Sequence, residues 1–229
     1  MRLPNSAIMS TAELHEAKRE ARVEATLFAL VACGLLWLLA LVSMWVGWTI
    51  LGLDGWIWFA LSVPELLLVT SFGLRASRRV DVMVLLLVVA GNLCGLGLLI
   101  ASLVTEASRE LSGGQLLLSG ALLWLTNVIV FGLLYWSVDA GGPIRRAQHG
   151  REAPDFWFPQ DDNDRLAKTS WYPRLEDYTY VALTNGIAFS PTDAMPLTRW
   201  AKTLMGLEAL ISVGAVLLVA ARAVNVLGG

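Results

Sequence analysis

The sequence predicts an all-α fold: a polytopic transmembrane helix bundle of five spans, with a short re-entrant or interfacial pore-type helix before the last. Three observations predict it. The 229 residues are 56% hydrophobic and only 16% charged, whereas a soluble domain carries about a quarter charged residues. The apolar residues fall in long blocks, and the chain has a mean hydropathy of +0.60. Between the fourth and fifth blocks, residues 178–189 are apolar enough to enter a bilayer and too short to cross one.

Taken in order, residues 1–24 form a cytoplasmic amphipathic helix. Ser10 and Glu13 have the spacing of a capping box, and Leu14, Ala17 and Ala21 make a narrow apolar stripe. This helix reads as a solvated lead-in to the first span, with a membrane-surface or partner-binding helix as the alternative. Residues 25–138 hold four spans, at 25–51, 55–74, 80–104 and 115–138. Each meets the roughly 20 residues that a hydrocarbon core about 30 Å thick requires. The first two are joined by "GLDG", a turn signal that implies a helical hairpin. Pro64 should kink the second span. Gly91 and Gly95 form a GxxxG face on the third, suited to close packing within the monomer or to dimerisation.

"DAGGPIRR" ends the fourth span sharply, with two glycines and a proline. Residues 139–176 then read as an irregular cytoplasmic loop whose aromatic clusters lie at headgroup depth, and as a surface for a membrane-protein partner. Residues 177–229 comprise the short pore-type helix and a fifth span at 197–226. In "SPTDAMP", Pro191 and Pro196 forbid regular helix. Such backbone survives at membrane depth only when buried in protein or lining a wet cavity.

Charge orients the spans. Arg2, Lys18, Arg19 and Arg22 precede the first, and Arg75, Arg78 and Arg79 follow the second. Arg145, Arg146, Arg151, Arg165, Lys168 and Arg174 follow the fourth, and Arg199 and Lys202 open the fifth. The other side holds Arg109 and, near the end of the fifth span, Arg222. An excess of basic residues marks the cytoplasmic side, so the N-terminus is expected inside and the C-terminus outside. The tryptophans around the first hairpin (Trp45, Trp48, Trp56, Trp58) and at the opposite end (Trp136, Trp157, Trp171, Trp200) read as interfacial belts.

Intramembrane polar groups are costly and are functional candidates by default. Glu65 lies mid-way along the second span and Glu208 mid-way along the fifth, where Ser212, Ala215, Val219 and Arg222 continue at helical spacing. Asn92, Thr126 and Asn127 could meet that stripe. Two readings stay open: a wet path or proton relay, or hydrogen-bonded glue between helices.

Other chemistries lack residues. A net charge of -2 gives no basic footprint for nucleic acid. Cys33 and Cys94 sit in apolar blocks and read as small core residues. His15 and His149 are far apart in polar segments. With no HExxH or CxxC spacing and no nucleophile–base pair, no metal, cofactor or enzymatic activity is expected.

Two resemblances add to this reading. Residues 175–226, through "DYTYVALT", then Asp193 and Pro196, then "LEALI", resemble the pore module of bacterial potassium-channel-like proteins: short pore helix, filter, lining helix. The resemblance implies a constriction lined by Thr184, Asn185, Ser190, Thr192 and Asp193, backed by Glu208 and Ser212, in a homo-oligomer. It places Ser190-Pro191-Thr192 where the filter's Gly-Tyr-Gly would stand, so potassium selectivity of the carbonyl-ring kind is not implied. The charge asymmetry would bring this loop in from the cytoplasmic face, whereas potassium channels insert theirs from outside. The whole chain also resembles a group of uncharacterised bacterial five-helix integral membrane proteins. The matching stretches are "WLTNVIVFGLLYW", "GGP", "PDFWFPQ", "AFSPTD", "RWAKTLM" and "ARAVNVL", and they imply a bacterial inner-membrane location. The leading expectation is an ion-channel-like pore-loop protein in the lipid bilayer. The alternatives are a non-conducting accessory subunit, or a small proton-coupled transporter using Glu65 and Glu208.

Overall fold

The computed structural model describes residues 11–50, 53–73, 78–104, 113–143, 145–146, 153–161, 171–188 and 194–227. It is an all-α helical bundle. Four helices are long and apolar enough to cross a membrane, over Ala21–Val46, Arg79–Ala101, Leu117–Gly141 and Arg199–Leu217.

Helix α1 runs unbroken from Thr11 to Val46. The N-terminal amphipathic segment is therefore the extension of the first span rather than a separate surface helix. Ser10 of the expected capping box lies outside the described residues. α1 ends at Val46, earlier than expected, because Gly47 takes φ +73° and the Trp48 N–H donates to the Ser43 carbonyl at 2.7 Å. That is a Schellman closure, which satisfies a carbonyl the helix end would otherwise orphan. Strands β1 (Thr49–Ile50) and β2 (Leu53–Asp54) pair antiparallel, so the "GLDG" connection closes a small β-hairpin, not a helical one. Gly55 follows it against the end of α1. A Cβ there would stand 2.7 Å from Ser43 Cβ and 2.8 Å from the Met44 nitrogen, so the close approach requires glycine.

The second apolar segment is interrupted beside Pro64, as expected. It is α2 (Ile57–Leu61) followed by α3 (Val63–Gly73), separated by Ser62 alone, which keeps αR backbone, donates its N–H to the Trp58 carbonyl and accepts at its carbonyl from the Leu66 N–H. Pro64, in the first turn of α3, offers no N–H to a preceding turn. The Ser62 hydroxyl donates to the Phe59 carbonyl at 2.8 Å and accepts from Trp37 Nε1 of α1 at 2.9 Å. The apolar stretch Ile57–Thr70 is shorter than the four spanning helices.

Helices α4 (Arg78–Val104) and α5 (Gly113–Val138) complete the bundle. α5 is its axis: 72% of its apolar window is buried, against 39% in each of the other three. Gly91 faces α2 and α3 near the Leu61 carbonyl and Pro64, and Gly95 packs against Leu123 and Trp58. The GxxxG face thus serves packing within the chain. Cys33 is buried as expected, but Cys94 is exposed. Trp58 and Trp136 are buried in the core rather than interfacial, while Trp45 and Trp56 are exposed.

After α5 comes a tight 3-10 turn, Asp139–Gly141, with positive φ at Ala140, Gly141 and Gly142. Then follow β3 (Phe156–Trp157), a 3-10 turn at Pro159–Asp161, α6 (Leu175–Ala188), β4 (Met195–Pro196) and α7 (Arg199–Leu227). Strands β3 and β4 pair antiparallel, Phe156 opposite Pro196 and Trp157 opposite Met195. The rings of this connection divide between the core and the surface. Phe156 and Phe158 are fully buried, Phe156 packing on Tyr135 and Tyr178, and Phe158 on Tyr178 and Trp171. The described part of the loop holds only a two-residue strand and short 3-10 turns, yet Phe156 and Phe158 belong to the core. Burying them removes large aromatic area from water, which a surface loop would not achieve.

Asp139 fixes that arrangement. Its carboxylate, fully buried, accepts from the backbone N–H groups of Asp155 (2.7 Å) and Phe156 (3.1 Å) and from the Tyr178 hydroxyl. Arg146 lies 3.9 Å from it, donates to the Trp136 and Asp139 carbonyls at 2.8 and 2.7 Å, and sits over the Tyr178 ring. Asp155 in turn accepts from the Ala140 N–H and from Thr198 Oγ1, whose oxygen caps α7 at Ala201. A buried charge is tolerated when paired and hydrogen-bonded in this way.

Candidate functional site

Helix α6 lies along the second half of α5 and runs antiparallel to it. At one end Gly132 meets Thr179, where a Cβ would stand 2.8 Å from Oγ1; at the other, Gly186 meets Trp124 and Val128. Helix α7 runs parallel to α6, with Asn185 beside Met205 and Glu208, and Gly186 beside Ser212. With a rise of 1.5 Å per residue, the 14 residues of α6 advance about 21 Å, which takes them to the middle of α5. The chain is next described at Ala194, and β4 then pairs with β3 beside Asp139, at the end where α6 began. The hairpin enters and leaves by one end of the bundle.

Near the described end of α6 the side facing α5 and α7 is polar and buried, while Ile187 and Ala188 are exposed. Glu208, fully buried, accepts at Oε2 from the Tyr135 hydroxyl (2.5 Å) and from Asn185 Nδ2 (2.7 Å). Asn185 also donates to the Met205 carbonyl at 2.9 Å. One turn further along α7, Ser212 Oγ accepts from Asn127 Nδ2 at 3.5 Å. Gly186 has no side chain here for a packing reason. A Cβ would stand 3.1 Å from Ser212 Oγ and 3.4 Å from Trp124 Nε1. Three buried atoms of this cluster have no hydrogen-bond partner: Glu208 Oε1, Asn127 Oδ1 and Trp124 Nε1.

A second polar group lies across the bundle. Glu65, in the first turn of α3, and Asn92 of α4 are 0% and 3% exposed, and all four of their side-chain oxygen and nitrogen atoms lack a partner. The level is common to both groups. Leu96 meets Gly214 and Gly95 meets Leu123, so Asn92, Asn127 and Glu208 fall within about one or two helical turns of each other.

The expected pore residues divide. Thr184 is half-buried, its hydroxyl spent on the Tyr180 and Val181 carbonyls. Asn185 points inward to Glu208 instead of lining an open passage within the protomer. Ser190, Thr192 and Asp193 lie outside the described residues. Of the intramembrane candidates, Asn127, Glu208 and Ser212 come together. Thr126 instead bonds back to the Leu122 carbonyl, and Asn92 bonds to neither group. Sequence reasoning passed over Tyr135, Trp124 and the Asp139 cluster. Helical spacing carried a signal for two of them: Trp124, Val128, Phe131 and Tyr135 share one face of α5, the face that receives α6. Nothing comparable marked Asp139, whose partners are brought by remote loop segments.

Among the described residues no group of three or more His, Cys, Asp or Glu side chains could hold a metal ion. No protein-family model, curated protein or solved structure matches the chain.

Proposed function

We propose that the protein is a five-pass integral membrane protein of the plasma membrane, acting as an ion-channel-like subunit whose α6 hairpin is a pore-type re-entrant element. The supporting observation is the path of that hairpin. A short helix goes in to mid-bundle, the chain is next described back at the end where that helix began, and a spanning helix starts from there. Such a turn at membrane depth must be sheltered by protein or by a wet lumen. A homo-oligomer around a shared axis would supply the lumen, with Ser190, Thr192 and Asp193 at the constriction. The basic residues of α1, the α4 start, the α5–α6 connection and the α7 start favour the hairpin's open end as the cytoplasmic one. Lacking filter glycines, the pore would not select potassium through carbonyl rings.

The test is ion flux from liposomes carrying the purified protein, wild type against Asp193→Asn, together with its mass in detergent. The proposal expects an oligomer of more than two copies, flux above empty liposomes, and altered flux in the variant. A monomer with background flux in both would refute it.

One observation favours a second reading, a non-conducting accessory subunit. Asn185, the tip residue best placed to meet an ion, is committed to Glu208 and the Met205 carbonyl. In that case the 139–176 connection would recruit a membrane-protein partner, and a stoichiometric partner would co-purify with a protein that conducts nothing.

A further inference from the structure

The break between α2 and α3 creates a feature that the hairpin does not use. Glu65 is fully buried and neither carboxylate oxygen reaches a hydrogen-bond partner. Its own backbone N–H lies in reach of the carboxylate without meeting hydrogen-bond geometry. Asn92, 3% exposed, has both amide atoms unpartnered. The two residues stand on neighbouring helices at one level, since the Cβ direction of Gly91 meets the Leu61 carbonyl oxygen at 3.7 Å and Pro64 Cγ at 3.8 Å. Both belong to core-facing stripes, Trp58–Ser62–Glu65–Leu68 on one side and Val88–Asn92–Gly95–Leu99 on the other.

We propose that this break, with Glu65 and Asn92, is a binding site for one monovalent cation at the middle of the bundle. A carboxylate removed from water without a counter-charge is among the costliest arrangements a protein can hold. Among the described residues the groups that face Glu65 supply none. α1 contributes Cys33, which lies within electrostatic reach of it. α4 contributes Asn92, and α2 (Ile57–Leu61) carries no titratable side chain. The first turn of α3 stabilises the ionised carboxylate, and three kinds of oxygen stand at about this level: the Glu65 carboxylate, the Asn92 amide oxygen and the Leu61 carbonyl, which is met by Gly91, the residue before Asn92. Interrupted helices at the bilayer midplane place ion sites in this manner, with freed backbone and a nearby side chain sharing the ligand. Glu208 differs because two donors from the chain already occupy one of its oxygens.

The shared chemistry is neutralisation of Glu65, and two sources can supply it. A proton would make Glu65 a donor to the Asn92 oxygen; an alkali-metal ion would draw on all three oxygens. Neither depends on the hairpin, so a protein that conducts nothing would still bind the cation here.

The test uses the full chain in detergent. Thermal unfolding of wild type is followed against NaCl, with choline chloride as control, and separately against pH. A ligand that binds only the folded state raises the midpoint with concentration. The proposal expects a rise of several degrees with sodium but not choline, or with falling pH, and loss of that dependence in Glu65→Gln and Asn92→Leu. Identical dependence in wild type and both variants, or no dependence in wild type, overturns it. Carbodiimide labelling of the wild type, read by peptide mass, gives a test that does not depend on the folding of Glu65→Gln. Labelling at Glu65 that sodium suppresses assigns the alkali-metal ion, and labelling lost only as pH rises assigns the proton. Labelling indifferent to both, or none at any pH, refutes the site.

Discussion

Glu208 and Glu65 are the same side chain at nearly the same level, and they are treated in opposite ways. Glu208 sits where three helices meet, and its neighbours deliver two donors, Tyr135 from α5 and Asn185 from α6. Glu65 sits at a helix break between α1 and α4, and no neighbour delivers one. The first holds chain segments together, because its two donors come from two different helices, α5 and α6. The second stabilises nothing by itself. The difference teaches that a buried carboxylate is structural when the chain supplies its partner, and available for a ligand when it does not.

Substitutions can break this comparison or sharpen it. The largest effect is expected from Glu208→Leu. It strands the Tyr135 hydroxyl and one Asn185 bond in a dry interior, and should cost about 2–4 kcal/mol, read from chemical or thermal unfolding in detergent. Gly186→Val should follow at about 1–3 kcal/mol, since added carbon must displace Ser212 Oγ and the Trp124 ring. Tyr135→Phe removes one donor and leaves Glu208 still held by Asn185, so about 1 kcal/mol is expected. A double-mutant cycle of Tyr135→Phe with Glu208→Leu should show coupling of roughly 0.5–2 kcal/mol, and the cycle with Glu65→Leu none. The smallest effect belongs to Glu65→Leu itself. Measured without added alkali cation, it should lie within about 0.5 kcal/mol of wild type, or stabilise, because no hydrogen bond is lost and a costly polar group is removed. A loss of several kcal/mol there would mean that Glu65 has a partner in the chain after all, and would erase the contrast.

The same two sites show what could be read before any coordinates. Glu65 and Glu208 stood out from sequence because a charged residue inside an apolar block is conspicuous without knowing its neighbours. Their roles did not stand out. The pore-module resemblance sets Asn185 among the residues lining a constriction, while its amide is committed to Glu208 and the Met205 carbonyl. It faces inward because Gly186 brings α6 close enough to α7 for its amide to reach Glu208. "PDFWFPQ" shows its aromatic character in isolation, but not that Asp139, across the α5 turn, and the pairing with β4 bury Phe156 and Phe158 within the protein.

What the sequence determined by itself was local and compositional. Long apolar blocks set the helices, Gly47 and the "GGP" turn set two of their ends, and Pro64 marked an interruption. These follow from backbone sterics and from the cost of exposing apolar surface, which act within a few residues. The tertiary structure alone decided which buried polar groups found partners and that α6 lies against α5. Hydrogen bonds such as Tyr135 to Glu208 join residues 73 positions apart. Nothing along the chain encodes that separation, and only the packing of one helix on another brings such groups within reach.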